Sequence, residues 1–527
     1  MKLGSIERSF FHWLAVIVVT LGCIAAKDHW GWLIEYPDAL IFPFSDWLNV
    51  MMDWMVKHFG WFFMGISWVL EWPIWVVQKI LSGLPWAVTM FLFCVVAFVA
   101  TGWRLAAFTL GATLYMVVIG YWEESMNSLS LVAISVPLAI FVGFSVGVWG
   151  FYSDRAERAI MPALDLFQTV PAFAYLLPIL LLFGFGTVVG LIASVLYSFP
   201  PMVRNTMIGL RSVAPEVIES GLMSGATPGQ LFWQVRVPSC RKQILLGVNQ
   251  ATMASLSMVI IASIIGGTSD IGWEVLSTIR KAQFGESLLV GMVIALMAMV
   301  IDRVTCGLAQ RSNLYDPSEK TVLQRYRMWA VAIIGATLLF GLAQVFNVLA
   351  DWPRDNVWSP GRSMNEGLTY LIVNYRPQIE ALKTSAFFFV MLPLKIGLQG
   401  AVSPFTWGFA LTATHKVVYA LAMAAIALWC GMRGKTIAGI VVMLFAVFLY
   451  FGLTSIPWPC VILIYTFIGW KIGGRALGLG TALGLGFMVV TGNWAEAMLS
   501  VYLCGIAAII SFVFGTTIGI WAAHNDK

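Results

Sequence analysis

Long apolar runs alternate along this chain with short polar stretches. In the first part they cover residues 11–26, 86–102, 105–121, 129–150, 161–185, 187–203, 243–266 and 286–302, and a further run extends over 330–350. Several of these approach or exceed the roughly 20 residues a helix needs to cross about 30 Å of hydrocarbon, and a barrel strand would need about half as many. The pattern predicts an all-α, polytopic membrane protein of about 14 helices.

Composition agrees. Hydrophobic residues make up 60% of the 527 and charged residues 11%, and the mean hydropathy is +0.85; a soluble domain carries about a quarter charged residues. The opening stretch has basic residues followed by an apolar run. It reads as a retained first helix, since no small-x-small cleavage site precedes a soluble domain. The net charge of +5 reports orientation, because basic residues collect in cytoplasmic loops; nothing points to nucleic acid. With Lys2 and Arg8 in the cytoplasm, eight crossings place residues 153–159, then Arg236, Arg241 and Lys242, and the linker from Arg303 to Arg327 on the same side. The N-terminus is therefore expected inside a cell inner membrane. The stretch from Asp28 to Pro85 then falls outside. It holds Trp30, Trp32, Trp47, Trp54, Trp61, Trp68, Trp72 and Trp75, with Trp86 just beyond, and these are expected to anchor amphipathic segments at the headgroups. Seven cysteines and five histidines are scattered singly, which predicts neither a disulfide framework nor a metal site.

Sliding the chain on itself by 372 positions exposes a repeat. Pro85-Trp86 meets Pro457-Trp458, Gly102 meets Gly474, and Met116-Val117-Val118 meets Met488-Val489-Val490. Gly120, Trp122, Glu124 and Met126 meet Gly492, Trp494, Glu496 and Met498; Gly147, Trp149 and Asp154 meet Gly519, Trp521 and Asp526. The register argues for duplication. Two readings of the second copy stay open, a piece of a longer fused chain or an accessory bundle. Gly474, Gly478, Gly480 and Gly484 are expected within one helix, where they permit close helix contact. Residues 415–430 and 436–451 form an extra helical pair without counterpart in the first copy.

One polar segment, ESGLMSGATPGQLFWQVRVP (219–238), interrupts the apolar pattern. It follows a short helix, breaks at Gly225 and restarts at Thr227-Pro228, where threonine caps free amides and proline suits a first turn. Such an elbow between two spans is a docking shape. Glu219-Ser220-Gly221, then Gly225, then Val235-x-Val237-Pro238 carry the spacing of the Glu-Ala-Ala signature loop of ABC importer permeases, with both alanines and the Ile and Leu positions replaced by other small or apolar residues. With QTVPAFAYLLPILLLFGFG (168–186), FPPMVRNTMIGLRSV (199–213) and GVNQATMASLSMVIIASIIGG (247–267), the chain resembles the glycine betaine/proline importer permeases, closely over Pro85 to Thr305. The second half resembles the fused permeases of that family, some of which carry trimethylamine N-oxide. Thr268-Ser269-Asp270 departs from the family's glycine-rich turn.

The resemblance implies a type I ABC importer transmembrane domain. The expected organisation is an N-terminal helix with an external segment (1–85), a permease core (86–310) with its coupling loop at 215–240, a linker (311–327), a second N-terminal region (328–455) and a partial second copy (456–527). It implies ATPase coupling through Glu219, Gly225, Ala226, Thr227, Pro228, Leu231, Arg236 and Pro238. The solute path is expected at Gln168, Thr169, Pro171, Phe173, Tyr175, Asn249, Thr252 and Ser257, where Pro171 and Pro178 break a helix and uncharged polar and aromatic groups suit a methylated zwitterion. No catalytic residue and no bound cofactor are expected. GMRGKT (431–436) lacks the first glycine of a phosphate-binding loop, so ATP and magnesium belong to partner ATPase subunits. A periplasmic or lipid-anchored solute-binding protein, a second permease chain and the lipid bilayer complete the expected partners. Two alternatives remain: an ion-coupled secondary transporter, disfavoured by the absence of ionisable residues in several spans, and a non-transporting scaffold or osmosensor.

Overall fold

The computed structural model describes residues 3–26, 29–266, 270–311, 322–352, 357–433, 436–452 and 456–524, which contain helices and no strand. The principal helices begin with α1 (Leu3–Ala26), α2 (Phe44–Gly83), α3 (Trp86–Ala100), α4 (Trp103–Ile119) and α5 (Trp122–Tyr152). Then come α6 (Asp154–Thr169), α7 (Ala172–Phe183), α8 (Thr187–Arg211), α9 (Pro215–Met223), α10 (228–239), α11 (Arg241–Gly266), α12 (Ile271–Arg280) and α13 (Phe284–Arg311). The rest are α14 (Val322–Val345), α15 (Gly361–Asn374), α16 (Arg376–Ala401), α17 (Ala413–Met432), α18 (Thr436–Phe451), α19 (Trp458–Val490) and α20 (Trp494–His524). Among the described residues ten helices are long and apolar enough to cross a membrane, or eleven if α6 and α7 form one broken span; Ala15–Ala26, α3 and α4 are shorter apolar helices. Most of the expected linker, with Gly267, Thr268 and Ser269, lies outside the described residues.

The chain forms two compact units, one of residues 52–371 and one of residues 1–51 with 372–527. In the first, α5, α8 and α11 form the centre. Their closeness is written in small residues. A Cβ at Gly143 would stand 2.6 Å from the Met202 Cβ, and one at Gly147 would stand 2.7 Å from the Thr206 Cβ, so α8 lies against the bare backbone of α5. Gly247 does the same for α11 against Asn205 of α8. Buried hydroxyls Ser135 of α5 and Ser255 of α11 bond each other at 2.6 Å. A core of Met116, Leu131, Leu191, Leu256, Val259, Val290 and Val293 then joins α4, α5, α8, α11 and α13.

The run at 161–185, expected as one span, is broken. α6 and α7 meet at 97°, because proline drives its predecessor out of the helical region and Val170 adopts ψ 127 before Pro171. Pro178 breaks nothing and lies inside α7. Trp86 also departs from expectation. It is buried, and its indole donates to the Val348 carbonyl at 2.9 Å.

The second unit repeats the first in register. α3 and α4 turn at Gly102 (φ +114) and α4 ends at Gly120 (φ +87); α19 turns at Gly474 (φ +75) and ends before Gly492 (φ +75). Each lies in the left-handed region that suits glycine. Gly474 is therefore a hinge within α19, not the helix-packing residue expected from spacing. Gly478 does pack, against Trp470 across the hairpin. α5 and α20 begin and end at counterpart positions, 122 and 152 against 494 and 524.

What covers each copy comes from the other half of the chain. In unit 52–371, α14 packs on α3, the Trp358 N–H donates to the Val118 carbonyl at 2.8 Å, and Val357 covers Gly120. In the other unit, α1 packs on α19, the Phe42 N–H donates to the Val490 carbonyl at 2.8 Å, and Ile41 covers Gly492. The indole of Trp458 donates to the Trp32 carbonyl at 3.0 Å, as that of Trp86 does to Val348. All these covering residues correspond at an offset of 316, so the segment preceding each copy is itself duplicated and sits on the opposite copy. The extra pair α17 and α18 accounts for the difference between the two offsets.

Candidate coupling elbow and solute path

The elbow starts with α9, whose first residue is Pro215. It ends in a Schellman cap: the Ala226 N–H donates to the Gly221 carbonyl at 3.2 Å and the Gly225 N–H to the Leu222 carbonyl at 2.9 Å. That cap requires a left-handed residue, and Gly225 supplies it at φ +77. Its Cβ direction is open, so conformation is what this glycine provides. Thr227 then starts α10 with a capping box. Its own N–H donates to Gln230 Oε1 at 2.9 Å, and Gln230 N–H returns to Thr227 Oγ1 at 3.4 Å. Pro228 occupies the first turn. The helix runs past Pro238 to Ser239, one residue further than the pattern suggests, with a π-helical stretch over Leu231–Arg236.

Two contacts make the elbow one body. Gly221 of α9 crosses α10 so closely that a Cβ would stand 2.8 Å from Leu231 Cδ1. Phe232 is buried with Leu210, Val213 and Cys240, packed by Phe144, Val148, Phe151 and Ile244, which roots α10 in α5, α8 and α11. Arg236 lays its guanidinium 5.1 Å from the Phe151 ring centre, a cation–π contact that keeps its charge on the root. Burial pushes the Cys240 thiol above its ordinary range, which suits a packing residue and not a reactive one. Arg211 grips Glu157 of α6 through two hydrogen bonds of 2.6 Å. The other side is bare: Glu219, Pro228 and Pro238 are exposed, and so are Met223 at 91% and Trp233 at 61%. The elbow thus combines a root packed into α5, α8 and α11 with an apolar, exposed tip.

The expected path residues divide into two groups. Gln168 and Thr169 end α6, exposed; Pro171 and Phe173 flank the bend, also exposed. Tyr175 joins a cluster with Leu176, Val189 and Ala193 that reaches Met258 and Ile261 of α11, and its buried hydroxyl has no partner among the described residues. Ser257 is exposed on α11 beside Met258. Asn249 and Thr252 stand apart from this surface. Asn249 Oδ1 accepts from Thr305 of α13 at 2.8 Å, and Thr252 is buried with its hydroxyl on the Val248 carbonyl. Both link or fill helices. A polar network escaped the sequence reading: Asn205 of α8 donates to Gln250 Oε1 at 2.8 Å and accepts from Gln243 Nε2 at 2.7 Å, both on α11. Polar residues inside apolar runs were its only signal; their pairing needs the fold. A pocket of about 160 Å³ between α3, α4, α5 and α13 is lined by Phe93, Met116, Leu129, Met297 and Ile301, too apolar for a zwitterion. Among the described residues no His, Cys, Asp and Glu cluster could hold a metal.

Residues 135–313, which contain the elbow and both path groups, match the binding-protein-dependent transport system inner membrane component family. Over 518 residues the chain is 26% identical to a trimethylamine N-oxide transport system permease protein of Ruegeria pomeroyi, covering 94% of this chain and 69% of the relative. It is 36% identical to a glycine betaine transport system permease protein of Bacillus subtilis (50% of this chain, 93% of the relative). It is 34% identical to a glycine betaine/proline betaine transport system permease protein of Escherichia coli (54% and 80%). Those two matches correspond to about one permease copy each, and the Ruegeria match runs through both copies seen in the fold. The chain is a multi-pass membrane protein that belongs to the binding-protein-dependent permease family of the glycine betaine, proline betaine and trimethylamine N-oxide transport systems.

Proposed function

We propose that this chain conducts a small methylated or cyclic zwitterion, of the betaine, proline or trimethylamine N-oxide class, into the cell, driven by a separate ATPase that seats on the elbow at 215–240. The rigid root and bare tip of that elbow carry the reading. Glu219 and the apolar residues around Met223 and Trp233 face a groove of the ATPase; Gly225 and Thr227 hold the bend; Leu231 and Phe232 pass movement to α8 and α11. Ala226 and Arg236 shape the elbow, and Pro228 and Pro238 stand exposed on its bare side. Solute passes by the bend between α6 and α7, where Gln168, Thr169, Phe173 and the unpartnered hydroxyl of Tyr175 accompany Ser257. Asn249 and Thr252 act on this surface only through helix packing. The basic elbow and the N-terminus lie in the cytoplasm, and an external binding protein delivers the solute. The substrate class is supported by what the relatives carry.

The test is co-purification with the ATPase and binding protein, followed by ATPase stimulation across betaine, choline, carnitine, proline and trimethylamine N-oxide. Stimulation by one or more of these is expected. A complex that forms yet responds to none contradicts the substrate class, and uptake driven by an ion gradient without ATPase contradicts the coupling.

A further inference from the structure

Two ion pairs run along the contact between α6 and α8. Arg211 grips Glu157 through two hydrogen bonds of 2.6 Å, and nearer the middle of α8 the Arg204 guanidinium donates to Asp165. Ile160 and Leu164 share a buried cluster with Val203 and Met207, and the Phe167 ring meets that of Phe199 edge-on with centres 5.6 Å apart. α6 therefore lies antiparallel on the stretch of α8 from Phe199 to Arg211. The same stretch roots the elbow, since Leu210 and Val213, on either side of Arg211, belong to the buried cluster of Phe232. α7 packs elsewhere: Leu176 is buried with Val189 and Ala193 of the N-terminal half of α8. The two regions of α8 meet at Pro200-Pro201, where two consecutive N–H groups are missing from the helical ladder. The 97° bend at Pro171 divides its partners in the same way, with α6 on one region and α7 on the other.

We propose that Arg204 and Arg211 are positioning residues for transport: they weld α6 to the elbow-bearing half of α8, so that elbow, half-helix and α6 turn as one body about Pro171 and Pro200-Pro201 and carry Gln168 and Thr169 past α7. The inference rests on the reading above that an ATPase drives the elbow. Exposed ion pairs contribute little to stability; what a bidentate arginine–carboxylate contact adds is geometry. Apolar side chains packed between two helices resist separation more than sliding, whereas a fork on Glu157 and a second pair at Asp165 fix the register along the axis. At Pro200-Pro201 the ladder is already interrupted, so bending there breaks no further hydrogen bond.

Uptake in vesicles holding the chain with the ATPase and binding protein tests this. Glu157→Arg sets two guanidinium groups against each other and is expected to cut uptake about tenfold while the ATPase still co-purifies. Adding Arg211→Glu returns the pair with its charges exchanged and is expected to restore uptake. Parent-like uptake by the single variant, loss of the ATPase from it, or a defect that the exchange does not repair each overturns the weld. A covalent substitute gives an independent readout. Asp165→Cys with Arg204→Cys is expected to lower uptake, to regain it when a short bifunctional methanethiosulfonate joins the two positions, and to lose it again when the link is reduced. No uptake after linking would mean that α6 must part from α8 during transport, and parent-like uptake before linking would mean that the pair is idle; either contradicts the proposal. Failure of the underlying reading looks different, because the parent chain itself would then show no ATP-driven uptake.

Discussion

Phe232 shows how much one side chain does here. It is the buried anchor of a helix whose opposite face is bare, so truncation should loosen the lever while leaving the docking surface chemically intact. A buried Phe→Ala change costs about 3 kcal/mol. Phe232→Ala is expected to keep the ATPase bound but to cut uptake at least tenfold; unchanged uptake would show that the elbow needs no rigid root. Asp270 makes a different point. It precedes α12, is buried, and accepts from Ser263 Oγ at 2.8 Å. Burial raises its carboxyl above the ordinary 3.8, and the Ser263 hydrogen bond only partly opposes this. With the folded value above the unfolded one, the native state binds the proton more tightly, so this group's contribution to stability falls as pH rises from about 4 through the raised value and stays low above it. Asp270→Asn is expected to raise the melting temperature at pH 7 and to do little at pH 4. The opposite order would contradict the sign.

Among whole elements, α2 is the least ordinary. At 1.5 Å per residue its 40 residues extend about 60 Å, twice the hydrocarbon thickness. Trp47, Trp54, Trp61, Trp68 and Trp75 recur every seven residues and all are exposed, which makes one slowly drifting stripe. An interfacial helix lying along the membrane fits both facts. Spin labels at 50, 57, 64 and 71 are expected to report nearly equal depths; a steady change in depth from one end to the other would make α2 a crossing helix. The stripe was legible as a count of tryptophans, but its spacing acquires meaning only once the stretch is one helix. Much else was legible for simple reasons. Apolar length gave the helices and Thr227-Pro228 gave the start of α10, whereas the recurrence of Gly102 and Gly120 as Gly474 and Gly492 marked the repeat without showing that Gly474 is a hinge. The 97° bend was half legible: two prolines were equal in sequence, yet the break falls at Pro171 while Pro178 lies inside α7. Asn205 pairing with Gln243 and Gln250 was not legible, since which polar groups meet across two helices depends on their rotation.

For the whole molecule, the exchange of covering segments was beyond the reach of sequence pattern. Periodicity speaks of local structure, and Trp358 on Val118 or Phe42 on Val490 joins residues hundreds of positions apart. A cleavage site inserted in the linker after α13 tests it. Cut there, the two pieces are expected to stay together through purification, because residues 1–51 sit with 372–527 and 322–371 sit with the first copy. Pieces that separate in mild detergent would mean that each copy holds its own leading segment. A bare tip that receives the driving force should fail when its surface chemistry is changed. Both Glu219 and Met223 are exposed, so Glu219→Arg with Met223→Asp alters the surface and spares the root. ATP-driven uptake in vesicles containing the ATPase and binding protein is the most direct measurement. This variant is expected to fold, insert and melt like the parent but neither to retain the ATPase nor to transport; normal uptake by it would rule out the elbow tip as the seat of the drive.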